Sequence, residues 1–152
     1  MNELLFILKK EKVLTDYSVR TIEHYMEKWD TGSYYSVLEC NLITENEMAD
    51  LLSRKMKIDR IYHLTPQMIE EDSLEKLPFS KAVMYDAIPL RYLGKEKEML
   101  EIVMANPTDS AALQGLRDIT GCEIVPVVTE LKSIRSLVHE IYPLNSQIPS
   151  LN

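Results

Sequence analysis

Few residues of this 152-residue chain carry reactive side chains, and their spacing decides what they can do. The three histidines, His24, His63 and His139, fall in different segments, and none shares a metal-ligand spacing with Cys40 or Cys122. A metal site announces itself as CxxC or as paired histidines one helical turn apart, and neither occurs. The two cysteines read instead as small apolar core residues, the commoner fate of a free thiol. A phosphate-cradling loop needs glycines ahead of a Lys-Ser or Lys-Thr pair. Gly32, Gly94, Gly115 and Gly121 do not provide one. No serine, threonine or cysteine sits in a nucleophile elbow or a recognisable triad. Glu70-Glu71-Asp72 and the Glu96/Glu98 pair resemble paired carboxylates, but solvated charged faces account for them. The expectation is a chain with no catalytic residue, no metal and no cofactor.

Composition narrows the partners. Hydrophobic residues make up 45% of the sequence and charged residues 27%, the mixture of an ordinary globular protein. The net charge is −7, and basic pairs such as Lys9-Lys10 and Lys95/Lys97 have glutamate neighbours. Binding to phosphate backbones needs a basic patch, so nucleic acid and anionic membrane are not expected partners. A basic protein surface fits this charge better, because opposite charge steers association. Leu4 to Leu8 is apolar but breaks at Lys9, Lys10, Glu11 and Lys12, which is too short for a signal peptide or a span. The expected location is the cytoplasm, without membrane insertion.

The elements that must position any site begin with helices. Leu4, Leu5 and Leu8 lead through a short helix to a turn at Val13-Leu14. Thr15 or Asp16 then caps a helix whose apolar positions Val19, Ile22 and Met26 recur at helical spacing. Asp30-Thr31-Gly32-Ser33 is a turn, followed by a short helix over Tyr34 to Leu38. Thr44 with Glu47 forms a capping box ahead of Met48, Leu51, Leu52 and Met56. Val13-Leu14-Thr15-Asp16 matches Leu42-Ile43-Thr44-Glu45 at an offset of 29 residues, and the same offset lays Val19 on Met48, Ile22 on Leu51 and Leu8 on Val37. Two helix-turn-helix repeats, each unable to bury its apolar face alone, are expected to pack together.

The second part mixes strands and helices. Ile61 to Leu64 reads as a short strand and Thr65-Pro66 as a helical start. Short helical pieces follow over Leu74 to Leu77 and Pro78 to Tyr85. Ile88 to Leu93 and Met99 to Ala105 form a hairpin across Gly94-Lys95-Glu96-Lys97, with Pro89 restricting its strand to an edge or a strand start. Asn106-Pro107-Thr108-Asp109 opens a helix carrying Ala112, Leu113, Leu116 and Ile119, and Gly121 stops it. Glu123 to Val128 is a third strand, parallel to the second after a crossover, and Thr129 is expected to cap a last helix through Ile141. The fold class is α+β: a helical subdomain of two repeats over residues 1–60, a small mixed-sheet subdomain over 61–143, and a loose tail over 144–152.

Ile88-Pro89-Leu90-Arg91, Met104-Ala105-Asn106-Pro107-Thr108-Asp109, Thr120-Gly121 and Val125-Pro126-Val127-Val128 resemble the N-terminal domain of the assembly ATPases of type II secretion and type IV pili. Leu42-Ile43-Thr44 and its copy Val13-Leu14-Thr15 extend the likeness, more loosely, into the first half. The resemblance implies a domain that docks a motor onto a cytoplasmic or inner-membrane platform protein. In one branch it also implies cyclic di-GMP binding, through two copies of an R-L-G-x5-6-G element. Counted back from Thr44, the arginine and the two glycine positions are Gly32, Tyr34 and Asn41; counted back from Thr15 they are Glu3, Leu5 and Lys12. Both arginines are missing, and arginine–phosphate bonds are the strong bidentate kind. Cyclic di-GMP is therefore not an expected ligand, unless Arg20 or Arg54 substitutes through a shifted alignment. A protein partner is expected instead, anchored on Leu4, Leu5, Phe6 and Leu8 and on the aromatic group Trp29, Tyr34 and Tyr35. Trp29 equally suits a cover over the seam between the repeats, and self-pairing into a dimer is a third possibility.

Overall fold

A computed structural model describes residues 2–148. Four helices come first: α1 (Glu3–Lys10), α2 (Asp16–Trp29), α3 (Ser33–Glu39) and α4 (Glu45–Met56). After a 3-10 turn at Pro66–Met68 come α5 (Glu71–Leu74), α6 (Phe79–Tyr85), β1 (Ala87–Leu93), β2 (Met99–Met104), α7 (Ser110–Thr120), β3 (Glu123–Val128), α8 (Leu131–Ile141) and α9 (Leu144–Gln147). The chain is α+β, as its patterning predicts. Among the described residues no helix is long and apolar enough to cross a membrane.

The repeat is real in backbone geometry as well as in sequence. Thr15 accepts a hydrogen bond from Ser18 N at 3.1 Å, and Thr44, at the same offset, accepts one from Glu47 N at 3.1 Å. Glu47 completes the box by accepting from Thr44 N. The turns ahead of these caps coincide too: Lys12 and Asn41, 29 residues apart, both adopt the left-handed conformation, with φ of 62° and 54°. That conformation costs a side-chain-bearing residue energy and costs glycine nothing. The turn geometry thus survives at the two positions where the family pattern has its second glycine. Leu8 and Val37, Leu14 and Ile43, and Ile22 and Leu51 are paired by the offset and all buried.

The sheet has the order β1-β2-β3. β1 runs antiparallel to β2, from Ala87 opposite Met104 to Leu93 opposite Met99, with a register shift between Pro89 and Arg91. Pro89 cannot donate to a ladder, and the edge position of β1 makes that harmless. Leu90, inside the irregularity, offers its carbonyl outward to Glu70 N at 2.8 Å, so the α5 segment covers this edge. β2 and β3 are parallel, joined through α7, and α8 packs against β1 and β2. The apolar core runs without a break from Leu4 and Ile22 through Met48 and Leu52 to Ile102, Val128 and Ile134.

Several expectations change in three dimensions. Ile61 to Leu64 is not a strand: pairing shrinks to a bridge between Arg60 and Val128. Thr129 does not cap α8. Its hydroxyl donates to Ile61 O at 2.7 Å, and Glu130 takes the cap position with no side-chain bond to the helix. The start of the expected tail is a helical turn, fastened by Gln147 Nε2 donating to Tyr142 O at 2.8 Å and His139 O at 2.9 Å. The rest of that tail, 149–152, lies outside the described residues.

Candidate functional site

Leu4, Leu5, Leu8 and Tyr34 are not surface anchors. They are between 0% and 4% exposed, inside the core that joins the repeats. Exposing a leucine costs about 2 kcal/mol, so α1 turns its leucine face inward and leaves Phe6, on the opposite face, 48% exposed. Phe6 carries Lys10 over its ring at 5.0 Å. Trp29 is 61% exposed at the end of α2, its ring 6.3 Å from that of Tyr25 and under Lys28 at 5.4 Å. Of the seven residues expected at a partner surface, Phe6 and Trp29 are open to solvent. Tyr35 is half-buried and engaged elsewhere.

That engagement joins α3, α6 and α8. The Tyr35 hydroxyl donates to Asp86 Oδ2, and Arg135 donates to the other side of the same carboxylate, from Nε to Oδ1 at 3.2 Å and from Nη2 to Oδ2 at 3.5 Å. The Arg135 guanidinium also lies 5.2 Å from the Tyr35 ring centroid. Asp86 sits in the left-handed residue that ends α6, so a helix terminus aims its carboxylate at α3 and α8 together. Burial, reinforced by the bond to Asp86, pushes the Tyr35 phenol up to about 12. Burial likewise raises that of Tyr34.

Asp86 forms part of the floor of a cavity of about 570 Å³. Its walls come from five places in the chain: Asn2, Glu3 and Leu4 at the start of α1; Met26 of α2; Gly32 to Tyr35 at the start of α3; Met84 and Tyr85 from α6; and Ala105 to Ala112, less Pro107, from the entry to α7. Small residues at Gly32, Ser33, Ala105, Ser110, Ala111 and Ala112 leave the space open. The α7 entry is shaped by its own polar groups. Asn106 Oδ1 accepts from Thr108 N and Oγ1, and Asp109 Oδ1 accepts from Ala112 N at 3.0 Å as the helix cap. These residues build the turn, as their types and spacing predict.

The charged groups lining the cavity among the described residues are all acidic: Glu3, Asp86 and Asp109. Glu3 and Gly32, the two positions where the family pattern would place arginine, both stand on its wall. Tyr34 and Leu5, at the first glycine positions, are packed into the core, which closes the backbone against a ligand there. Neither Arg20 nor Arg54 lines the cavity, and Arg54 pairs with Glu11 at 3.6 Å. Sequence reasoning missed Asp86 and Arg135 as a pair because 49 residues separate them.

Comparison with known proteins places these features. Residues 57–147 match the MshEN domain family. A type IV pilus assembly ATPase, PilB of Myxococcus xanthus (strain DK1622), is 24% identical over 136 residues, which make up 90% of this chain and 23% of PilB. Among solved structures, MshE with cdg (cyclic di-GMP) superposes at a TM-score of 0.69 with 14% identity, covering 93% of this chain and all of the other. The N-terminal domain of XpsE superposes at 0.66 with 16% identity in one crystal form, covering 92% of this chain and 94% of that one. At these identities the structural matches speak to the fold.

Proposed function

The chain belongs to the MshEN domain family, and from that premise we propose that it is a non-catalytic docking and regulatory module of a type II secretion or type IV pilus machine. It spans 23% of the length of PilB, and no motor activity is proposed for it. Its place is the cytoplasmic side of the assembly, where a platform protein meets the motor.

The observation that carries this reading is the charge of the cavity. A cyclic dinucleotide brings two phosphates, and the strong way to hold them is a guanidinium fork on each. Here the two corresponding positions carry a carboxylate, Glu3, and a hydrogen atom, Gly32. Each missing charged hydrogen bond is worth about 1.5–3 kcal/mol, and Glu3 adds repulsion. The solvent-facing aromatics Phe6 and Trp29 remain as partner anchors. Calorimetric titration with cyclic di-GMP tests the first half: no heat is expected at about 100 μM ligand, equivalent to about 5.5 kcal/mol. A pull-down tests the second. The cytoplasmic segment of a pilus or secretion platform protein should be captured, and capture should weaken in a Phe6→Ala/Trp29→Ala variant. Undiminished capture would remove these residues as anchors.

Dinucleotide sensing is the second reading, supported by the cavity's volume and by the fold shared with MshE, which was solved with cdg. The same titration decides it, since saturable heat with a stoichiometry near one would replace docking by sensing.

A further inference from the structure

We propose that the outer face of α2 receives an acidic helical segment of the docked partner. The inference rests on the docking reading and names the partner chemistry that this face fits.

α2 turns Val19, Ile22 and Met26 toward the core. On the opposite side of the helix stand Tyr17, Arg20, Thr21, His24 and Lys28, and all five are exposed, Tyr17 at 74%. No carboxylate interrupts them. Arg20, His24 and Lys28 recur every fourth residue and form one ridge, with about 6 Å of helix rise between neighbours. Arg60 and Arg135 have their charge answered from within the chain, by Asp50 and Asp86. Arg20 and Lys28 form no ion pair among the described residues. In a chain of net charge −7, this face is a local island of positive field.

An apolar anchor adjoins the ridge. The Lys28 ammonium lies 5.4 Å from the centroid of the open Trp29 ring, so charge and aromatic surface are offered side by side. The matching occupant is a helix with carboxylates at fourth-residue spacing and an apolar residue about one turn beyond them. Two helices pack ridge against groove, and opposite charges steer their encounter. A flat anionic surface fits less well. Asp16, Glu23 and Glu27 run along one margin of the ridge, where a bilayer or a duplex would press on them. A single helix, about 10 Å across, can lie on the ridge alone. The net charge of the whole chain also repels an extended polyanion.

The test is amide-resolved NMR of the full chain titrated with an alanine-based helical peptide of about 16 residues carrying glutamate at every fourth position. Its glutamine twin is the neutral control. Expected are saturable shifts at Arg20, Thr21, His24, Lys28 and Trp29 with the glutamate peptide alone, with a Kd on the order of 1 mM that weakens severalfold at about 0.5 M salt. Arg20→Glu/Lys28→Glu should weaken both the peptide and capture of the platform segment on the order of tenfold or more. Lys76→Glu/Lys95→Glu makes the same charge change at exposed residues elsewhere and should leave both unaltered. Equal shifts with the glutamine twin, or parental binding by Arg20→Glu/Lys28→Glu, would overturn the assignment. So would shifts on α2 with phosphatidylglycerol vesicles and none with the peptide, which would put a membrane in place of an acidic helix. If the platform segment is captured by Arg20→Glu/Lys28→Glu as well as by the parent, docking stands on another surface and this proposal fails. If the peptide binds α2 but no platform segment is captured, the face keeps its acidic preference and the docking reading fails.

Discussion

Arg60 should hold the repeat helices to the sheet, and removing it should cost a large part of the stability. Its side chain is 4% exposed. Nη1 donates to Asn46 O at 2.8 Å and to Asp50 Oδ1 at 2.6 Å, Nη2 donates to Asn46 Oδ1 at 2.8 Å, and Glu130 lies 3.6 Å from Nη2. Tyr62 stacks on the guanidinium at 4.3 Å. One planar group therefore ties α4 to the entry of α8, while its own backbone bridges to Val128 at the end of β3. In Arg60→Ala the charged bond to Asp50 is lost, worth about 1.5–3 kcal/mol, together with about 0.5–1 kcal/mol of stacking on Tyr62. Asp50, 47% exposed, regains water and offsets part of this, and Glu130 keeps Lys132 at 3.2 Å. The net loss should be about 1–3 kcal/mol. Arg60→Lys keeps the charge but cannot fork to Asn46 and Asp50 together, so it should lose about 1–2 kcal/mol. Urea unfolding followed by far-ultraviolet circular dichroism and by Trp29 fluorescence measures both, and coincident curves establish two-state behaviour. A loss below about 0.5 kcal/mol for the alanine variant, the usual effect of a neutral surface change, would refute the clasp. So would a lysine variant as stable as the parent.

Three further outcomes follow from single contacts. Glu45 Oε1, in the first turn of α4, accepts from Lys132 N at 2.8 Å and so caps α8 from another element; Glu45→Ala should lose about 1 kcal/mol in urea titration and Glu45→Gln clearly less, whereas equal losses would point to charge instead of the bond. Lys12→Gly should stabilise the chain by about 0.5–1 kcal/mol by relieving a left-handed lysine, and Asn41→Gly by less, since asparagine tolerates that conformation; a lower melting temperature for Lys12→Gly would contradict the strain argument. The folded Tyr35 phenol is raised from its ordinary 10.0 to about 12, so the stability it contributes is whole below pH 10 and fades as pH climbs toward 12. Thermal melts from pH 9 to 12 should fall less steeply in Tyr35→Phe than in the parent, and an unchanged slope would remove Tyr35 from the account.

Local chemistry made much of this fold readable from the sequence. A cap, a turn and a helical face each depend on residues within one or two turns. Thr44 with Glu47, the stop at Gly121, the Asn106–Asp109 entry and the three strands therefore follow from neighbouring residues alone. The repeat was legible for the same reason, because equal local patterns 29 residues apart build equal local structures. Even the left-handed turns at Lys12 and Asn41 persist without glycine, held by the helices on either side.

Tertiary structure decided which of two faces each short helix shows to solvent, and so which residues can meet a partner. Apolar spacing on α1 defines a stripe but not what covers it; packing against α2 and α3 put Leu4, Leu5 and Leu8 inside and left Phe6 outside. Thr129 has the side chain of a cap, yet the carbonyl of Ile61, 68 residues earlier, claimed its hydroxyl. The cavity is the extreme case. Its acidic character comes from Glu3, Asp86 and Asp109, each unremarkable among its chain neighbours, and a charge acquires a field to share only when folding brings others beside it.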